Sequence, residues 1–195
     1  MNKLMGFYEL SEMDIPSIPW KEYTGKETFD SNYLWTIRSA VFRGSDLNLP
    51  RLVGATAQEA KTFADALYSK LKDKGIVIYY PYFLANKSGT LNVFLDRIVI
   101  EAVEKDLWNL VTYEDREVTI DIKKDEINVS GNGDFLSQKE LDRILANVPA
   151  VKKSFRDFFF DGESVLLEWS LAQNSDLKKN PVGEEYLVFY EARTV

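Results

Sequence analysis

IVIYYPYFLANKSGTLNVFLDRIVIEAV, residues 76–103, decides the fold class. Its hydrophobic period is two, so residues 76–83 read as a strand, 86–89 as a turn, and 91–95 and 98–103 as further strands. The alternation continues through 107–113, 118–122 and 127–129. Strands this closely spaced leave no room for crossover helices and predict an antiparallel sheet. Outside this run the period lengthens to that of a helix. Thr56 and Glu59 form a capping box, Ala60, Phe63, Ala64, Leu67 and Leu71 share one face, and Gly75 is placed to end the element. A second capping pair, Ser137 and Glu140, opens a helix carrying Leu141, Ile144, Leu145 and Val148, and Pro149 either kinks it or starts another. Residues 35–39 read as a short strand and 43–54 as a polar loop.

The expected layout is α+β: helices on one face of a mostly antiparallel sheet. Residues 1–34, punctuated by Pro16, Pro19 and Gly25 among Phe7, Tyr8, Trp20 and Tyr23, read as an irregular amino-terminal arm. Residues 35–195 are expected to form a single domain, since 195 residues at 45% hydrophobic content suffice for one core.

Composition removes several kinds of chemistry. There is no Cys and no His, so disulfides, thiolate nucleophiles, His-based triads and sulfur- or imidazole-ligated metals are excluded within these residues. Acid-base or metal chemistry falls to Asp, Glu, Lys, Arg or Tyr. The net charge of -7, with scattered basic residues, disfavours a nucleic acid partner. No stretch reads as a signal or a membrane span, and the cytoplasm is the expected location.

The carboxy-terminal segments carry the chemical lead. SVLLEWSLA, residues 164–172, places Val165, Leu167, Trp169 and Leu171 on one face and Leu166, Glu168 and Ser170 on the other. EYLVFYEARTV, residues 185–195, by the same alternation groups Leu187, Phe189, Glu191 and Arg193. If the two pair with Ala172 roughly opposite Glu185, then Glu168 and Glu191 become cross-strand or diagonal neighbours. Like charges so placed call for a cation between them, either Arg193 or a hard divalent metal.

The order of motifs resembles the carboxy-terminal part of the ATP-grasp nucleotide-binding domain of phosphoenolpyruvate synthase and pyruvate phosphate dikinase. TIRSA at 36–40 and GSD at 44–46 stand where the family has V-R-S-S and an acidic loop. VIYYPYFLANKSGT at 77–90, IVIEAV at 98–103, LLEWS at 166–170 and VFYEARTV at 188–195 follow in the family's order. The resemblance implies an ATP-grasp-like half domain that binds ATP and Mg²⁺. It implies that Arg38 contacts phosphate and that Glu168 and Glu191 hold the metal, Glu191 standing where the family has Gln. It further implies cofactor-binding roles for Glu101, for Arg193 and for Tyr80, which begins the strand that meets adenine. Departures are clear: the family's upstream G-G-K segment has no counterpart, Ala40 replaces a serine, Glu104, Lys105 and Asp106 replace a glycine-rich loop, and Thr194 replaces a proline.

Two readings follow. One is a nucleotide-binding domain or subunit that completes its site with a partner chain or a further copy. The other is a degenerate, non-catalytic relative serving as a small-ligand or protein-interaction module. Open space between Arg38, Glu168 and Glu191 would favour the first; a direct Glu191–Arg38 salt bridge without a cavity, or filling by Phe or Trp, would favour the second.

Overall fold

A computed structural model describes residues 3–43, 49–107, 110, 116–124 and 126–195. The architecture is α+β, with two antiparallel sheets. The elements run α1 (Lys3–Glu12), β1 (Lys21–Tyr23), β2 (Trp35–Val41), β3 (Leu52–Ala55), α2 (Ala57–Leu71), β4 (Gly75–Pro81), β5 (Phe83–Val93), β6 (Arg97–Glu104), β7 (Val118–Lys123), β8 (Glu126–Gly131), α3 (Gln138–Leu145), α4 (Val148–Ser154), α5 (Arg156–Phe160), β9 (Val165–Ser175) and β10 (Pro181–Thr194). A four-stranded sheet has the order β1-β4-β2-β3, and a six-stranded one β10-β9-β5-β6-β7-β8.

Both capping boxes form. Thr56 and Ser137 accept from the amides of Glu59 and Glu140, whose carboxylates return the bond, so α2 and α3 begin where the sequence places them. Pro149 starts a separate helix at α4. Each sheet buries one face against helices: Tyr23, Ile37, Val77, Ala60, Ala64 and Leu67 join α2 to the small sheet. Trp169, Leu91, Ile100, Ile120, Ile144 and Phe155 join the large sheet to α3, α4 and the residue preceding α5. A third cluster, including Ile78, Tyr80, Ala172 and Val188, packs the other face of the small sheet onto the large one.

Several expectations are corrected. The stretch read as an irregular arm contains α1 and β1. The turn expected at 86–89 lies within β5, and the chain reverses instead where Phe94 donates to the Arg97 carbonyl. Gly89 belongs to that strand because a Cβ there would meet the Glu101 carbonyl oxygen at 2.0 Å and the Trp169 ring at 2.5 Å. Gly75 does not terminate α2, which ends at Leu71; it opens β4 against the Ala40 carbonyl, 2.2 Å from a would-be Cβ. The loop expected at 43–54 includes β3, and 44–48 lie outside the described residues. Most of the strand expected at 107–113 also lies outside them.

Candidate functional site

One β-bulge builds the site. Simple alternation along β10 would send Glu191 to the same face as Leu187 and Phe189, into the apolar core. Phe189 pairs with Trp169, but the register then slips, so that Glu191 stands opposite Glu168 and Ala192 opposite Leu167. Tyr190 is the extra residue. The bulge turns the carboxylate out of the core and gives its place to Ala192, which is fully buried among Leu167 and Phe189. The face grouping read from alternation is thus corrected, while the cross-strand juxtaposition of the two glutamates stands.

From there a polar row crosses the large sheet. Glu191 pairs with Glu168, Glu168 with Thr90, Thr90 with Glu101, and Glu101 with Thr119. Directly paired residues share a face, so three carboxylates line one side, opposite the helix-packed core. Strand spacing sets Glu101 about 14 Å from Glu191. Glu101 is therefore in the row yet remote from the other two. It binds Arg116 at 2.9 Å and accepts from the Thr90 hydroxyl at 3.4 Å.

Guanidinium groups meet the other two carboxylates. Arg38 comes from β2 of the small sheet and donates to Glu191 Oε2 at 2.5 Å and to the Tyr190 carbonyl at 3.4 Å. Its side chain is 11% exposed and that of Glu191 4%. Arg193 lies 3.8 Å from Glu168. The two arginines and two glutamates make a neutral set across the two sheets, so the cation called for between the carboxylates is supplied in part by Arg38. A pair as deep as Arg38–Glu191 is held only where geometry offsets desolvation.

Burial works to lower the Arg38 pKa, but the Glu191 and Glu168 carboxylates and the Glu191 hydrogen bond work to raise it, and the net shift is upward. Tyr80 on β4 is 5% exposed; burial pushes its hydroxyl above the ordinary 10.0, and Arg38 opposes this. Tyr190 is pushed well above that value, again by burial first and then by Glu168, with a Ser170 hydrogen bond working against it. Both phenols are neutral hydrogen-bonding groups at physiological pH. Ser170 also shares a 2.8 Å hydroxyl contact with Ser88, both fully buried on the polar face.

The structure thus gathers Arg38, Tyr80, Glu168, Glu191 and Arg193, and sets Glu101 apart. Sequence reading missed Tyr190, Thr90 and Ser170. A signal for Tyr190 lay in the partner strand: with Phe189 opposite Trp169, unbroken register would set Glu191 against the apolar Leu167, and a bulge at Tyr190 gives Leu167 Ala192 instead.

The donor set fits one kind of metal. No group of three or more Asp or Glu side chains able to hold an ion occurs among the described residues. A protein cage for Ca²⁺ needs six or more oxygens, whereas Mg²⁺ is commonly held by one or two carboxylates plus ligand phosphates. Glu168 and Glu191 match the second requirement.

No family model matches this sequence, and no curated protein matches it. Among solved structures, the chain is similar to D-alanine-D-alanine ligase from Helicobacter pylori, with a TM-score of 0.51 and 15% identity over 98% of this chain and 50% of that one. It also aligns with an L-amino acid ligase from Bacillus licheniformis, at TM-score 0.47 and 12% identity, covering 98% of this chain and 39% of the other. A third is the macrocyclase MdnC, bound with precursor peptide MdnA, from Microcystis aeruginosa MRC, at TM-score 0.46 and 7% identity over 97% and 51% of the respective chains. The chain spans about half the length of the first of these ligases. At 15% identity the likeness is one of fold, and that fold is an α+β, ATP-grasp-like half domain.

Proposed function

We propose that this chain is a nucleotide-binding module that takes ATP with Mg²⁺ at the junction of its two sheets, related to the ATP-binding domain of phosphoenolpyruvate synthase and pyruvate phosphate dikinase. The observation that carries the reading is the pairing of Glu168 with Glu191 across β9 and β10 with Arg38 and Arg193 beside them, each with a ready exchange partner on a metal-nucleotide; the direct Arg38–Glu191 bond, which favours the second reading below, must open for it. Glu168 and Glu191 would hold Mg²⁺, and Arg38 would turn from Glu191 to phosphate oxygens, which accept a guanidinium in bidentate fashion. Arg193 would offset remaining phosphate charge, and the backbone from Tyr80 to Phe83 would meet the base. Glu101 would stand at the far end of the row. The bound metal-nucleotide supplies an electrophilic phosphoryl group; positioning and charge compensation are what these side chains contribute. This chain covers half the length of one structurally similar ligase, and we assign phosphoryl transfer to the module acting with further elements, such as those of a partner chain or a further copy.

Titrating Mg·ATP into the wild type and Glu168→Gln by calorimetry tests this. Heat from the wild type, lost in the variant, supports it; no heat from the wild type removes it for this chain alone.

A second reading is a non-catalytic relative acting as a small-ligand or protein-interaction module. It is favoured by the direct Arg38–Glu191 bond and by Phe7, which lies against the guanidinium with its ring 5.4 Å away. Absence of nucleotide binding in the titration would leave this reading.

A further inference from the structure

The guanidinium assigned to phosphate is already covered by the chain's own amino-terminal segment. Phe7 of α1 is fully buried, and Arg38 sits over its ring at 5.4 Å. One residue earlier, Gly6 places the α1 backbone against the Ala192 carbonyl, directly after Glu191, where a Cβ would approach to 1.9 Å. The chain leaving α1 then runs beside the bulge. Phe189 donates to the Pro16 carbonyl at 2.8 Å, and Ile18 donates to the Phe189 carbonyl at 3.0 Å. Trp20 closes the wrap by donating its indole N–H to the Phe7 carbonyl at 3.1 Å. Residues 6–20 therefore hold the bulge from two sides and press one aromatic ring on the cation that pairs with it.

We propose that α1 and the segment after it form a built-in cover that keeps Arg38 on Glu191 and gates the access of an anionic ligand to that guanidinium. The part concerning the ligand rests on the nucleotide reading above; the cover itself does not. The helix is suited to the task. It has no acidic residue in its first turn, no basic residue in its last, and an internal glycine. At 10 residues it is too short to persist without its packing. Gly6 is required by the close seat on Ala192, so the same residue that lets the cover fit also weakens the helix.

The test is arginine-specific labelling with phenylglyoxal, read at Arg38 by peptide mass spectrometry, in the wild type, Phe7→Ala and Gly6→Val, each checked for a cooperative thermal transition. The expected result is labelling of Arg38 at least about tenfold faster in the folded variants, since Phe7→Ala removes packing that holds the cover shut and Gly6→Val adds a side chain that would collide with the Ala192 carbonyl and wedge it open. Folded variants with Arg38 as protected as in the wild type would overturn the proposal. Should neither variant fold, hydrogen exchange on the wild type decides: α1 amides exchanging faster than those of β9 support the cover, and equal protection overturns it. The labelling is then repeated with Mg·ATP present from the start. Faster labelling that Mg·ATP slows supports both ideas, whereas faster labelling that Mg·ATP leaves unchanged keeps the cover and removes the nucleotide reading.

Discussion

The two ends of one polar row differ in what their carboxylates face. At the β10 end, Glu191 is 4% exposed and meets an arginine that reaches it from the other sheet. At the β6 end, the Glu101 side chain is 24% exposed and meets Arg116, itself 51% exposed. The residue types match, but the environments do not. A pair out of water is costly to break, because either partner alone is an uncompensated buried charge, whereas a half-exposed pair contributes little. Burial therefore sets the β10 end, where we propose a site, apart from the half-exposed pair at the β6 end.

That contrast is most sharply tested by Arg38→Met, which should destabilise the fold by about 3–5 kcal/mol in denaturant titration, with Glu191→Leu added to it restoring most of the loss. If Arg38→Met costs as little as an exposed pair, the distinction between the two ends fails. Between the ends, Gly89→Ala should cost about 1–3 kcal/mol, since its Cβ would press on the Glu101 carbonyl and the buried Trp169 ring; a neutral melt would show that β5 can shift freely beneath the row.

Alkali probes the buried end along with the other buried phenols. Tyr80 and Tyr190 have folded pKa values raised, by burial first, above 10.0. The folded state then binds more protons than the unfolded one above that pH. Stability is unaffected below pH 10 and falls as pH rises beyond it, by at most about 1.4 kcal/mol per group per pH unit. Ultraviolet titration should show these two phenolates forming only with unfolding, and their appearance near pH 10 in the native protein would contradict the burial. The smallest effect belongs to Arg116→Ala, about 0–1 kcal/mol and screened by salt.

Much of the fold was legible in the sequence because it rests on local rules. Thr56/Glu59 and Ser137/Glu140 started their helices as read, and the period-two run gave antiparallel strands. What was not legible depended on distant contacts. Gly89 looked like a turn because the ring that excludes a side chain there belongs to Trp169, on another strand. Helix α1 was hidden because its buried residues serve two clusters, Leu4 and Phe7 in one and Leu10 in the other. The glutamate pair was visible, but the bulge that orients it was not, since alternation within β10 takes no account of what Leu167 requires opposite it. That Arg38 comes from the other sheet to meet Glu191 also depends on how the two sheets pack, which no local pattern encodes.

The central claim is that the buried end exchanges its internal ion pairs for those of a metal-nucleotide. It is tested most directly by thermal denaturation of the wild type with Mg²⁺ alone, ATP alone, and both together. With only two carboxylates available, Mg²⁺ alone should leave Tm unchanged, and Mg·ATP at about 100 times its Kd should add about 2.7 kcal/mol of stability. An unchanged Tm with both present, or a full shift with Mg²⁺ alone, would contradict it.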